Sequence, residues 1–300
     1  MNDPTDHFRL AIAAAGLAAP DMIHGDGAIH RFATAGRRGD VSGWYLLHTD
    51  GIPAGTFGCW RAGLHSTWCA KSDNAMTPAE REAHRQRIQV MRAQRDAAEL
   101  ARLREEADKA TARWNVATTH CHHPYLAHKG VRAHGIKQDG DVLLIPLRDP
   151  AGVLHSLQTI DADGDKRYRG RKKGCYHAIG KPLGRIIVCE GYATGASIHE
   201  ATGEAVAVAF DAGNLMAVAR VLHKTYPELL LLAADDDHQT EGNPGLSSAR
   251  DAALAVGGFV VTPQFPPDRP PKATDFNDLA ALAGLGAVRA CFAEILEVAC

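Results

Sequence analysis

RIIVCEGYATGASIHEATGEAVAVAFDAGNLMAVARVLHKTYPELLLLAADDD, residues 185–237, is the stretch whose reading decides the fold. Three short apolar runs, RIIVC (185–189), AVAVAF (205–210) and LLLLAA (229–234), each lead directly into Glu or Asp. A fourth, GGFVVTP (257–263), follows them. Helix-forming segments lie between: ATGASIHEATG (193–203), NLMAVARVLHKTY (214–226) and GLSSARDAALAVG (245–257). Runs this short and uniformly apolar suit strands buried on both faces. Their alternation with helices predicts an α/β domain with a mostly parallel four-stranded sheet covered by helices.

In open α/β sheets, ligands sit beyond the carboxyl ends of the strands. Glu190 follows the first run; Asp235, Asp236 and Asp237 follow the third, two β-α steps later. If those two strands are neighbours, the acids meet at one edge. Crowded carboxylates repel and raise one another's pKa values, a penalty that a hard cation such as Mg²⁺ or Mn²⁺ removes. The plainer use of such residues is as solvated strand ends and helix caps. If the third strand runs on, Asp235 and Asp237 project to one side and Asp236 to the other. Gly191, Thr194 and Gly195 make a tight strand-to-helix turn, whose backbone N–H groups predict a seat for phosphate. The spacing is not that of a dinucleotide fingerprint, and neither a G-K-[ST] P-loop nor a hydrolase serine elbow is present.

Working upstream, residues 118–184 read as a β-rich segment that carries a basic hairpin. Lys166, Arg167, Arg169, Arg171, Lys172 and Lys173 put six positive charges in eight residues around Tyr168. Such a cluster suits template phosphates or a triphosphate; a merely solvated hairpin is the alternative. Thr77-Pro78-Ala79-Glu80 has the form of an N-cap, a first-turn proline and a capping box. It opens a helix-forming run to about residue 117, whose sparse apolar positions (Ile88, Met91, Leu103, Ala110) predict a solvated connector, or else a helix lying on another domain or on DNA. Before it, Phe8–Leu17 reads as an amphipathic helix, and residues 20–72 as a small antiparallel sheet with a turn at Thr49–Ile52. Arg31, Arg37 and Arg38 form a second, weaker basic patch. The expected division is a small α+β region (1–76), a long charged helix (77–117), a β-rich subdomain with the basic hairpin (118–184) and the α/β domain (185–300).

Three hundred residues give room for about two domains. A net charge of -2 makes no global case for nucleic-acid binding, although a local basic channel fits a neutral protein. Seven scattered cysteines do not form a disulfide framework. The N-terminal apolar stretch lacks a basic leader and is too short to span a bilayer, so the chain reads as cytoplasmic, with no membrane partner. The irregular spacing of Cys59, His65, Cys69, Cys121, His122 and His123 predicts buried thiols and surface histidines rather than a zinc site.

Glu190-Gly191 after one strand and Asp235-x-Asp237 after another resemble the Toprim domain of primases, topoisomerases and some nucleases. CEGYATGASIHEATG, AFDAGNL, AADDD with downstream Gly245, and KATDFNDLA narrow the resemblance to Toprim DNA primases of plasmids, phages and integrating elements. His123-Pro124-Tyr125-Leu126, Lys129-Gly130, LLIPLRDPAGVLHSLQTI, GTFGCWRAG and IHRFATAGRRGDVSGWYLL extend it upstream.

The resemblance implies a metal-dependent nucleotidyltransferase that makes short primers from nucleoside triphosphates on single-stranded DNA. It assigns Glu190 as general acid/base or metal-organising carboxylate, and Asp235 and Asp237 as ligands of Mg²⁺ or Mn²⁺ with Asp236 assisting. Asp275 and Asp278 become candidates for a further metal or nucleotide contact, with helix capping as an alternative for Asp278. The basic hairpin, with Gly191, Thr194 and Gly195, becomes the nucleotide- and DNA-binding set. No helicase motif is present, so unwinding would come from a replicative helicase in trans. A Toprim nuclease using water on the same carboxylates, and a non-catalytic nucleic-acid-binding module, are the competing readings.

Overall fold

The computed structural model describes residues 3–34, 40–71, 76–226 and 229–298, with side chains to 295. It divides into two compact units, Met1–Ala101 and Arg102–Cys300.

In the first unit, α1 (Pro4–Ala14) starts at Asp3, whose carboxylate accepts from Thr5 N–H. Four strands follow as an antiparallel meander: β1 (His30–Phe32), β2 (Gly43–His48), β3 (Ala54–Cys59) and β4 (Leu64–Cys69). β2 and β3 are buried almost throughout because both sheet faces are covered. Phe8 and Ile12 of α1 pack on Phe32, Tyr45, Leu47 and Phe57. On the other face, Met91 and Ile88 of α2 (Pro78–Val116) meet Leu46 and Ala54.

The capping box of α2 is formed as expected: Glu80 Oε2 accepts from Thr77 N–H at 2.7 Å, and Thr77 Oγ1 from Glu80 N–H at 3.3 Å. The helix is nonetheless more than a solvated connector. Met91 is 1% exposed, and within the second unit Ala110 and Trp114 pack on Leu144, Leu154 and Leu157. Sparse apolar positions suffice because each sheet takes only one or two turns of the helix.

The second unit continues with α3 (Pro124–Lys129) and an antiparallel meander, β5 (Lys137–Asp139), β6 (Val142–Arg148), β7 (Leu154–Ile160) and β8 (Lys166–Tyr168). The remaining elements are β9 (His177–Ile179), β10 (Arg185–Cys189), α4 (Tyr192–Thr202), β11 (Ala205–Val208), α5 (Ala212–Thr225), β12 (Leu229–Ala233), α6 (Pro244–Val256), β13 (Phe259–Val261) and α7 (Phe276–Val298). Their sheet has the order β13-β12-β10-β11-β9. β10 to β13 are mutually parallel, and β9 pairs antiparallel with β11. The sheet is therefore five-stranded and mixed, not four-stranded. His177–Ile179 escaped the sequence reading because three residues between turns carry too little apolar periodicity to mark a strand.

α4 and α7 contribute to the core on one sheet face and α5 and α6 to the core on the other. The first of these cores also takes Tyr125, Leu126, Leu143, Ile145 and Ile160 from α3 and the second meander. β10 lies between β11 and β12, so the chain leaves it first to one side and then to the other. The order reverses at β10, making the gap between the ends of β10 and β12 the switch point of the sheet.

Gly195 shows how tightly α4 lies on this sheet. A Cβ there would stand 2.8 Å from Val208 Cγ2 and 3.0 Å from Cys189 Sγ. Gly195→Ala is expected to cost about 1–3 kcal/mol through overpacking, read as a lower urea midpoint at unchanged slope; unchanged stability would contradict this packing.

Candidate active site

Glu190 and Asp235 leave the neighbouring strands β10 and β12 at the switch point. Each residue is half-buried, yet Glu190 Oε1 and Asp235 Oδ1 are fully enclosed without a hydrogen-bond partner. Burial, then the charges of Asp237 and Asp211, push the Glu190 pKa up to about 7, against an N–H contribution from Ala212 that lowers it. Burial, then Glu190, Asp275, Asp237 and Asp278, hold Asp235 well above the ordinary carboxylate range.

The surrounding acids are fixed by local structure. Asp237 Oδ2 accepts from Gly245 N–H at 3.1 Å, in the first turn of α6. A Cβ on Gly245 would lie 2.8 Å from the Asp235 carbonyl oxygen and 3.0 Å from Asp237 Oδ2, so only glycine admits this approach. Asn243, the cap of α6, holds a left-handed backbone (φ 42°) and accepts from Asp237 N–H at 2.9 Å. Asp275 and Asp278 cap the start of α7 reciprocally: Asp275 Oδ1 accepts from Asp278 N–H at 2.9 Å, and Asp278 Oδ2 from Thr274 N–H at 2.8 Å. Burial and Asp278 raise the Asp275 pKa, while Lys129 and the Thr194 hydroxyl oppose the rise.

Three expectations change here. β12 ends at Ala233, so strand alternation does not orient the three aspartates. Asp236 is instead taken by Arg269 at 2.6 Å and by Asn243 Nδ2 at 2.7 Å, and those partners hold its carboxyl below the ordinary value despite partial burial. The Gly191–Gly195 turn is not an open phosphate seat either. Thr194 is buried and donates to Asp275 Oδ2 at 3.0 Å, Gly195 is spent on packing, and only Gly191 is half-exposed.

The basic hairpin is distributed rather than concentrated. Lys166 Nζ lies 5.6 Å from the Tyr125 ring centroid. Lys166 is exposed on β8; desolvation of its ammonium and Lys129 lower its pKa, while the charges of Asp275 and Asp235 oppose that. Lys172 pairs with Asp211 and lies 4.9 Å from the Tyr168 ring centroid. Arg167 and Arg169 line an open groove with Lys109 and Arg113 of α2, while Arg171 and Lys173 are exposed. Arg37 and Arg38 lie outside the described residues.

Sequence reading quoted Lys129, Asp211 and Asn214 within motifs without giving them a role, and overlooked Asn243 and Arg269. Asn243-Pro244 carries a cap-and-first-turn signature, and Asp211 precedes its partner Asn214 by the spacing of an N-cap; Arg269 leaves no local signal.

Among the described residues, no three His, Cys, Asp or Glu side chains close into a metal cage. Five of the six Cys and His residues weighed for zinc have other partners: His65 with Thr56, Cys59 with Thr34 and Ser42, Cys69 with His84, Cys121 with the Thr119 and Ile136 carbonyls, and His123 with the Asp141 carbonyl. The acidic group fits a hard divalent cation on chemical grounds. Its donors are carboxylate oxygens, two of them enclosed and unpartnered, and a bound cation would offset both the burial that chiefly raises their pKa values and the mutual repulsion that adds to it.

Residues 185–285 match the Toprim domain family. DNA primase TraC of Escherichia coli is 37% identical over 292 residues, covering 88% of this chain and 27% of that protein. A second Escherichia coli DNA primase TraC is 34% identical over 291 residues, covering 88% and 20%. The chain thus spans about a quarter or less of the length of these curated relatives. Among solved structures, the primase fragment of the bacteriophage T7 primase-helicase protein aligns at a TM-score of 0.38 and 15% identity, covering 55% of this chain and 67% of that one.

The electrostatics predict a pH signature. Folding raises Glu190 from an ordinary 4.5 to about 7, so between those values the folded protein holds a proton that the unfolded chain has lost. The associated stability is full below about pH 4.5 and lost as pH rises through about 7. His177, pushed down to about 4 by burial, acts with the opposite sign, so the comparison must isolate Glu190. Metal-free Glu190→Gln is expected to gain on wild type by about 2–3 kcal/mol in unfolding free energy between pH 5 and pH 8. Millimolar Mg²⁺ should narrow the gap at pH 8; a pH-independent difference would refute the assignment.

Proposed function

We propose that this chain, a Toprim-domain protein related to the TraC-type DNA primases, is itself a primase: a nucleotidyltransferase that joins nucleoside triphosphates into short primers on single-stranded DNA. The observation that carries this reading is the pair of enclosed, unpartnered oxygens on Glu190 and Asp235 at the switch point of the sheet, with Lys166 in electrostatic reach of Asp235 and Lys129 of Asp275. A site that only bound nucleic acid would have little use for crowded negative charge beside phosphates.

Primer extension needs a 3′-hydroxyl to lose its proton as it attacks an α-phosphate, while pyrophosphate leaves. Glu190, at the carboxyl end of β10, is the residue suited to accept that proton or, as a ligand, to organise the cation. Lys166 and Lys129 bring positive charge to the anionic triphosphate, and Lys172 adds a third ammonium beside Asp211. Asp235, Asp237 and Glu190 would hold Mg²⁺ or Mn²⁺, with Asp275 and Asp278 closing the acidic rim from the α7 cap. When bound, the cation lowers the hydroxyl's pKa and neutralises charge on the leaving group. Positioning and electrostatics supply most of the acceleration in such a transfer, so no side-chain nucleophile is required. Arg167, Arg169, Arg171 and Lys173 suit the template backbone, and duplex opening would be left to a helicase acting in trans.

No helix among the described residues is long and apolar enough to cross a membrane. The test is incubation with single-stranded DNA, labelled nucleoside triphosphates and Mg²⁺ or Mn²⁺. Wild type should make short oligonucleotides, and Glu190→Gln or Asp235→Asn should reduce the yield by roughly 10²-fold or more. Metal-dependent degradation of the template, lost in the same variants, would replace this reading with a nuclease; undiminished synthesis by either variant would remove these carboxylates from the mechanism.

A further inference from the structure

Asn214 is an amide in an apolar core, 1% exposed on the inner face of α5. Its Oδ1 accepts from Gly174 N–H at 2.9 Å. Its Nδ2 donates to the carbonyls of Ala209 at 2.8 Å, Cys175 at 3.0 Å and Lys172 at 3.3 Å. Two of those segments have clear positions in the site. Ala209 follows β11, where its N–H and that of Phe210 go to the carbonyls of Cys189 and Glu190 at 2.8 and 2.7 Å. Residues 172–175 are the end of the basic loop.

Phe210 holds a left-handed backbone (φ 77°), unusual for an aromatic residue, and the turn it makes brings Asp211 to the cap of α5. Asp211 Oδ1 accepts from Asn214 N–H at 3.1 Å, while its Oδ2 accepts from Lys172 Nζ. The first turn of α5 therefore grips the basic loop twice, through the neutral amide of Asn214 on its backbone and through the carboxylate of Asp211 on its lysine.

We infer that Asn214 is a positioning residue: it holds the 172–175 loop so that Lys172 stands beside the Glu190 edge, ready to receive a polyphosphate anion, with Asp211 as the counter-ion that the anion displaces. The inference rests on the primase reading for the identity of that anion, a nucleoside triphosphate. The geometry behind it is independent of that reading. Asn214 gives the Cys175 carbonyl and the Gly174 N–H a partner and shares the Lys172 carbonyl with the loop's own Cys175 N–H at 2.8 Å; a buried carbonyl left without its donor is costly, so removing Asn214 loosens the loop. An apolar residue of similar size would fill the core equally well without holding the loop.

Asn214→Ser shortens the side chain, and Asn214→Asp keeps its size and the acceptor for Gly174 but removes both N–H donors. Hydrogen exchange should show amides 172–176 opening roughly tenfold or more faster in whichever variant folds, with β10 and β12 as protected as in wild type. Affinity for a fluorescent nucleoside triphosphate should fall roughly tenfold. Because Asn214 acts through Lys172, adding Lys172→Ala should bring little further loss, whereas independent contributions would add. Unchanged loop protection, protection lost throughout the sheet, or full additivity with Lys172→Ala would each overturn the inference. If wild type binds no nucleoside triphosphate, the primase reading falls, and the exchange comparison alone still decides whether Asn214 positions the loop.

Discussion

Negative charge gathered at the mouth of a parallel sheet is the constraint that the surrounding structure has to support. Three of the acids are held at helix N-termini, where exposed N–H groups and the helix dipole favour anions. Glu190 receives an N–H contribution from Ala212 at α5, Asp237 a bond from Gly245 at α6, and Asp275 one from Asp278 at α7. Each such placement is worth about 0.3–2 kcal/mol. That is not enough to cancel burial and mutual repulsion, since Glu190, Asp235 and Asp275 keep raised pKa values. The domain holds charge ready for a cation without neutralising it internally.

Around this group the polar side chains sort into those that take charge away and those that fix geometry. Arg269 occupies Asp236, removing one of three consecutive aspartates from the cluster. Asn243 and Asn214, each at the first turn of a helix, tie loops to the sheet edge through backbone groups. Neutral amides suit that task because they add hydrogen bonds in a crowded electrostatic field without adding charge. The ammonium groups of Lys166, at the start of β8, and Lys172, on the segment between β8 and β9, arrive from outside the parallel strands. The acidic half of the site is thus intrinsic to the α/β layer, and the basic half is brought to it by the packing of the second meander.

Local signals were the ones legible in advance. The capping box at Thr77–Glu80, the meander around Thr49–Ile52, the alternation of strands and helices after residue 185, and the acids directly after two of those strands all follow from periods and spacings within a few dozen residues. The misreadings share a cause. Asp236 looked able to assist its neighbours, but Arg269, distant in sequence, claims it. The Gly191–Gly195 turn looked open until Asp275 was found bonded to Thr194. Helix α2 looked solvated because a few buried positions suffice when each sheet covers only a turn or two.

By itself the sequence determined the α/β alternation, the acids at two strand ends and the family resemblance, because strand burial, turn chemistry and motif spacing are properties of contiguous residues. The tertiary structure alone decided which aspartates remain available, that β9 closes the sheet edge, and that six clustered positive charges separate into one facing the acids, one paired with Asp211 and four spread over a groove and the surface. Those outcomes depend on partners far apart in the chain, such as Arg269 for Asp236 and Asn214 for the 172–175 loop. Such pairings exist only once the packing of helices on the sheet has brought them within hydrogen-bonding distance.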